Sequence, residues 1–179
     1  MFVQTEITPN PNSLKFIPGK VVSSAGSFEV TKNDNINNEL IRNILSVNGV
    51  EGIFLSKDFI SVNKYDENSW DDIKHIVISH INEFYASGKE FVINKDLNEQ
   101  SESFDEVEKQ IVQLLDEKIC PAIARDGGDI KFKEFKDGVV KVQLQGSCSG
   151  CPSSTMTLKQ GVQNLLCHYL PEVKKVEAV

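Results

Sequence analysis

The chain has 179 residues, 40% of them apolar, 8% aromatic and 25% charged, with a formal net charge of −7. This is the composition of a folded globular chain rather than a disordered one, and no stretch approaches the roughly 18 consecutive apolar residues of a membrane helix. Basic residues number 19 against 26 acids, and the two arginines, Arg42 and Arg125, stand far apart. With no basic patch to meet phosphates, the balance argues against nucleic acid as a partner.

In chain order, strands are predicted at Phe2–Ile7 and Ser13–Ile17, separated by the turn-rich TPNPN. Ile36, Leu40, Ile44 and Val47 repeat at helical spacing, and Gly49 ends that pattern. GVEGIFL and DFISVNK then read as a hairpin bending at Ser56–Lys57. A second helix starts after Ser69, a good N-cap, with Trp70, Ile73, Val77, Ile81 and Phe84 on one face and Gly88 at its stop. Residues 94–110 read NKDLNEQSESFDEVEKQ, with six acids and two lysines, and the first ten have almost no apolar content. They predict a linker at 94–103 between an N-terminal domain, 1–93, and a C-terminal domain, 104–179.

The second half opens with a helix carrying Phe104, Val107, Ile111 and Leu114, which Pro121 is expected to kink or restart. DGGD at 126–129 reads as a helix stop and turn, with Asp126 and Asp129 orienting the nearby loop. IKFKEF and VVKVQL alternate around Asp137–Gly138, the strongest hairpin signal in the chain. The loop GSCSGC leads into a helix from Pro152 to about His168, with Leu158, Val162, Leu165 and Tyr169 as its buried stripe; Pro171 ends it and VKKVEAV offers a short strand. The fold class expected is α+β, as two small domains, the second with an α-β-β-α core.

Chemistry concentrates in the cysteines, four in all: Cys120, Cys148, Cys151 and Cys167. In a chain without an export signal such pairs bind metal or do redox work more often than they form structural disulfides. Cys148 and Cys151 make a Cys-x-x-Cys pair in which Gly146 and Gly150 permit tight turning, so that both sulfurs could face one metal centre. Pro152 suits a first helical turn and puts Cys151 at the N-cap, where amide donors and the helix dipole favour a thiolate. No Asp or Glu occurs between Gly138 and Pro171, where Lys141 and Lys159 are the sole formal charges; carboxylates there would weaken an anionic centre.

A zinc site or iron–sulfur cluster takes four ligands, and this pair supplies two. Cys167 lies 16 residues past Cys151, or roughly 24 Å along a continuous helix. Cys120 has no partner at metal-ligand spacing and reads as a buried, inert thiol. His75 and His80 fall in the first half, and His168 falls at the far helix end. The economical completion is a second copy of the chain, giving four thiolates across a two-fold interface that can later release its cargo.

These residues carry a resemblance. The second half, from Ile111 to Val176, resembles the NifU-type domain of iron–sulfur cluster carriers through DGGDIKF, DGVVKVQL and GSCSGCPSSTMTLKQGVQNLL followed by PEV. The first half resembles the N-terminal domain of the Nfu branch through MFVQTEITPNPNSLKFIPG, GVEGIFLSKDFISVNK and the helix from Trp70. The resemblance implies that Cys148 and Cys151 ligate a 4Fe–4S cluster shared in a homodimer, with 2Fe–2S described for some members. It implies delivery to apo client proteins late in cluster assembly, with upstream assembly proteins as donors. Cys120 departs from the family, which commonly has a basic residue there. With the motif starting at Met1, a bacterial cytoplasmic protein is expected, a processed mitochondrial one being the alternative.

Two rivals stand beside this reading. A thiol–disulfide oxidoreductase would expect a βαβ context around the pair, whereas here it follows an antiparallel hairpin. A zinc-binding interaction module would also be short of ligands unless dimeric. No nucleophile has a base at suggestive spacing and no phosphate loop follows a strand, so no enzymatic turnover is expected.

Overall fold

A computed structural model describes residues 2–24, 26–90, 104–149 and 152–179, the side chains of 152–154 excepted. The chain divides into two compact units, Met1–Lys95 and Asp96–Val179, and each is α+β. The stretch read as a linker, 94–103, lies outside the described residues.

In the first unit, short alternating segments pair into one antiparallel sheet of order β1-β2-β5-β4-β3. Its strands are β1 (Gln4–Ile7), β2 (Ser13–Ile17), β3 (Phe28–Thr31), β4 (Val50–Leu55) and β5 (Ile60–Lys64). The edge strand β3 is not among the elements expected from the sequence; Phe28 and Val30 turn inward while Thr31 faces out. Helix α1 (Glu39–Ser46) is capped by Asn38, whose side chain accepts from the Ile41 N–H at 3.2 Å. Helix α2 (Trp70–Ala86) is capped by Ser69, which accepts from Asp71 N–H. Such side chains satisfy amides that the first helical turn leaves without partners. Leu40, Ile41 and Ile44 of α1 and Ile73, Val77 and Ile81 of α2 join Phe16, Val30, Ile53 and Val62 of the sheet in one core. The TPNPN segment is a bend held from both sides. Thr8 Oγ1 donates to the Asn10 and Ser13 carbonyls, each at 2.9 Å, and the Trp70 indole N–H donates to the Pro11 carbonyl at 3.0 Å.

In the second unit, α3 (Glu106–Leu114) begins with a capping box formed by Asp105 and Glu108. The helix does not simply kink at Pro121. It widens into a π turn over Leu115–Ile119, where the Cys120 N–H reaches the Leu115 carbonyl, and then restarts as α4 (Cys120–Arg125). Proline has no N–H to offer and its ring pushes away the carbonyl four residues back, and the wider turn absorbs that displacement.

Strands β6 (Gly128–Lys136) and β7 (Val139–Gly146) pair antiparallel through Asp137 and Gly138, at φ 51° and 81°, the signature of a type I′ turn. Helix α5 (Pro152–Tyr169) returns the chain to β8 (Lys175–Ala178), which runs parallel to β7 and completes the order β6-β7-β8. The buried face of α5 is shifted from the expected one. Val162 and Leu166 are buried and Leu170 follows them just past the helix, whereas Leu158 and Leu165 are half-buried and Tyr169 is 51% exposed. Tyr169 instead meets His168 edge-on, with ring centres 5.0 Å apart. No helix among the described residues is long and apolar enough to cross a membrane.

Candidate functional site

The β6–β7 ladder closes with Gly128 opposite Gly146, and the chain leaves it into the loop that carries Cys148. Gly146 takes φ 68°, a left-handed turn that a side chain resists, and its carbonyl accepts the Ser149 N–H at 3.1 Å. Ser147 ties this loop to the turn after α4: its hydroxyl donates to the Asp126 carbonyl, and its N–H donates to the Gly127 carbonyl at 3.2 Å. The Thr155 hydroxyl, one turn into α5, donates to the Cys148 carbonyl at 3.4 Å. Strand end, helix end and helix start are thereby fastened around one cysteine.

Cys148 is 6% exposed and belongs to the apolar core of the unit, with Ile111, Ile123, Ile130 and Val162. Its sulfur lies 4.0 Å from the Ser147 hydroxyl oxygen. DGGD supplies more than the expected turn. Gly127 alone takes the positive φ, 80°. A Cβ on Gly128 would sit 2.7 Å from Cys148 Sγ and 2.8 Å from the Gln145 carbonyl oxygen, so the second glycine leaves the space that the sulfur fills. Asp126 holds the loop through its main-chain carbonyl. Asp129 accepts the Ile130 N–H at 2.9 Å and faces Cys120.

Cys151 lies outside the described residues, and α5 opens just after it at Pro152. The other cysteines stand apart from the loop's chemistry. Cys120 is half-buried rather than buried, with Sγ 3.8 Å from Asp116 Oδ1 and 3.9 Å from the Ile130 carbonyl. Burial first, then the charges of Asp129 and Asp116, push its thiol up to about 12. At neutral pH it is a protonated thiol, a poor ligand and nucleophile. Cys167 is half-buried near the far end of α5. His75 and His80 belong to α2 in the first unit. Among the described residues no group of three or more His, Cys, Asp or Glu side chains converges in a way that could hold a metal ion.

An α+β unit whose strand-to-helix loop carries Cys148 of a Cys-x-x-Cys pair, preceded by a second small α+β unit, is the arrangement of a NifU-type protein. The match is specific in both units: residues 3–88 fit the family described as "Scaffold protein Nfu/NifU N terminal" and residues 111–177 fit "NifU-like domain". The chain belongs to the Nfu family.

Among its relatives, the human "NFU1 iron-sulfur cluster scaffold homolog, mitochondrial" is 44% identical over 100% of this chain and 72% of that protein. "NifU-like protein 4, mitochondrial" of Arabidopsis thaliana is 41% identical, covering 99% of this chain and 65% of that one. The chain therefore spans about two thirds of the Arabidopsis relative's length. A solved NifU-like protein from Saccharomyces cerevisiae is 28% identical, covering 54% of this chain and 87% of that one, with a TM-score of 0.47.

Proposed function

We propose that this chain is an iron–sulfur cluster scaffold and carrier, with Cys148 and Cys151 as the cluster's ligands. The observation that carries the reading is the place of Cys148, the first cysteine of the Cys-x-x-Cys pair, on the loop leaving β7 in the unit that fits the NifU-like description. The names of the relatives, iron–sulfur cluster scaffold and NifU-like protein, support the cargo. The cluster is cargo, held by thiolates and given up to apo client proteins; its exchange is ligand substitution and not turnover. Cys120, held protonated, and Cys167, at the far end of α5, are poor candidates to complete the ligand set. Two thiolates per chain favour a cluster shared between two copies, and four thiolates complete the ligand set of a 4Fe–4S cluster. A carrier that binds across such an interface can release its cargo by loosening one contact. Upstream assembly proteins would supply the cluster. The relatives are mitochondrial by name, which supports a mitochondrial matrix setting over a bacterial cytoplasm.

Anaerobic reconstitution of the full chain tests this. Mössbauer spectroscopy with iron and sulfide analysis should find about four iron and four sulfide per two chains, on a species of twice the monomer mass. Cys148→Ala with Cys151→Ala should abolish loading. Iron retained by that double variant, or one cluster held by a monomer, refutes the ligand assignment. Stoichiometric zinc on a colourless dimer would favour the interaction module, and cysteine-dependent insulin reduction would favour the oxidoreductase.

A further inference from the structure

A ligand to a cluster shared by two chains has to leave its own chain's interior, because sulfur and iron must come within bonding distance at roughly 2.3 Å. Cys148 has not left it. Its side chain is 6% exposed, in van der Waals company with the unit's apolar core, and its sulfur fills the volume that any side chain at position 128 would occupy. The backbone on either side is fastened in this arrangement, by Ser147 to Asp126 and Gly127 and by Thr155 to the Cys148 carbonyl. The one strongly turned joint between β7 and these fastenings is Gly146, at φ 68°.

We propose that the chain without cargo stows Cys148: the DGGD turn is a socket for its thiol, and cluster uptake requires the loop to turn about Gly146 and bring the sulfur out. This rests on the reading of Cys148 as a ligand. Gly128 and Ser147 are then positioning residues, acting on the cluster through the place they give Cys148. The stowed thiol is shielded from oxidants, which matters for a carrier that must wait empty between loads. Access to Cys148 is then an equilibrium between stowed and presented states, reached by local opening of the loop.

The test is alkylation of the reduced, cluster-free full chain with iodoacetamide, followed by mass spectrometry at each cysteine, with Cys167 as the internal reference. In the folded chain Cys148 should react roughly tenfold or more slowly than in the chain unfolded in urea, since only the open fraction reacts. Gly128→Ala places a methyl group 2.7 Å from the sulfur and should raise the Cys148 rate several-fold, leaving Cys167 unchanged. That methyl also meets the Gln145 carbonyl oxygen at 2.8 Å. If the variant proves unfolded, with Cys167 accelerated too, Ser147→Ala carries the test alone and should accelerate Cys148 by a smaller factor. Equal Cys148 rates in folded and unfolded chain overturn the proposal, as does a slow rate that no folded variant of the two alters. Iron loading is measured separately. A chain that shields Cys148 but never binds iron sinks the carrier reading and leaves the stowage standing; a chain that loads iron with Cys148 already fully reactive sinks the stowage alone.

Discussion

The two units share a fold class and differ in what they bury. In the first, the core cluster is hydrocarbon; Thr8 and Asn10 serve the TPNPN bend and Asn38 caps α1, while Lys15, Ser61 and Lys64 are buried within β2 and β5. In the second, a sulfur sits among the core residues, and the buried polar groups beside it, Ser147 and Gln145, belong to the strand end and loop that carry it. Apolar side chains whose sole task is packing are stabilised in proportion to the surface they withdraw from water. A thiol that has to be available gains from a place that it can leave. The difference teaches that the second unit's core is completed by a thiol, that of the proposed ligand, and that one missing Cβ, at Gly128, makes its enclosure possible.

The largest effect that could break this contrast is in the first unit. Ile53 is fully buried in β4, across from Val30 on one side and Val62 on the other. Ile53→Ala should cost about 2–5 kcal/mol, the removed methyls plus the cavity they leave. Urea unfolding followed by the fluorescence of Trp70, the chain's one tryptophan and the first residue of α2, reads that loss in the first unit. Cys148→Ala in the second unit removes one sulfur and should cost about 1 kcal/mol, measured by circular dichroism. Equal costs for the two would mean that Cys148 packs as tightly as an aliphatic core residue, and the distinction between the units would fail.

Most of the architecture was legible from residues. Hydrophobic spacing with Ser69 as cap located α2, and Asp137–Gly138 located the β6–β7 hairpin, because these signals are local. The strand β3 escaped because Phe28–Thr31 is four residues long and alternation over so few positions is weak. On α5 the expected face drifted by one position, since Leu165 and Leu166 both fit a helical repeat and only the surrounding core selects Leu166. Cys148 was singled out as a candidate by Cys-x-x-Cys and its glycines. Gly128 was not, because its reason lies 20 positions away in sequence, where Cys148 folds back over it. The available signal was a surplus: a turn at DGGD needs one left-handed residue, and the sequence offers two glycines.

A smaller effect sharpens the contrast from the side of the polar groups. Asn38 is 6% exposed and its Oδ1 accepts the Ile41 N–H. Asn38→Ala should cost about 1 kcal/mol in the Trp70-monitored transition, and Asn38→Ser should recover most of it, because serine caps nearly as well. Failure of serine to recover it would show that the asparagine is held for packing and not for the cap.

The smallest expected effect concerns Asp116, in the π turn of the second unit. Burial pushes its carboxyl above the ordinary carboxylate range and the Asp129 charge adds to this, against a lowering contribution from the Cys120 thiol. A carboxyl whose folded pKa is raised holds its proton more tightly in the folded state than in the unfolded one. Between the two pKa values the folded chain carries more protons, so stability falls as pH rises through the folded value, and at neutral pH the ionised group is a small liability. Asp116→Asn removes that ionisation and keeps an oxygen for the Cys120 thiol. It should therefore raise the stability of the second unit slightly at pH 7, with the gain fading as pH falls below the ordinary aspartate value, where Asp116 is protonated in both states. Urea midpoints at pH 7 and at pH 3, roughly a unit below that value, measure it. A gain that is the same at both pH values would locate the benefit in packing, and a loss at pH 7 would mean that the ionised Asp116 holds the π turn in place.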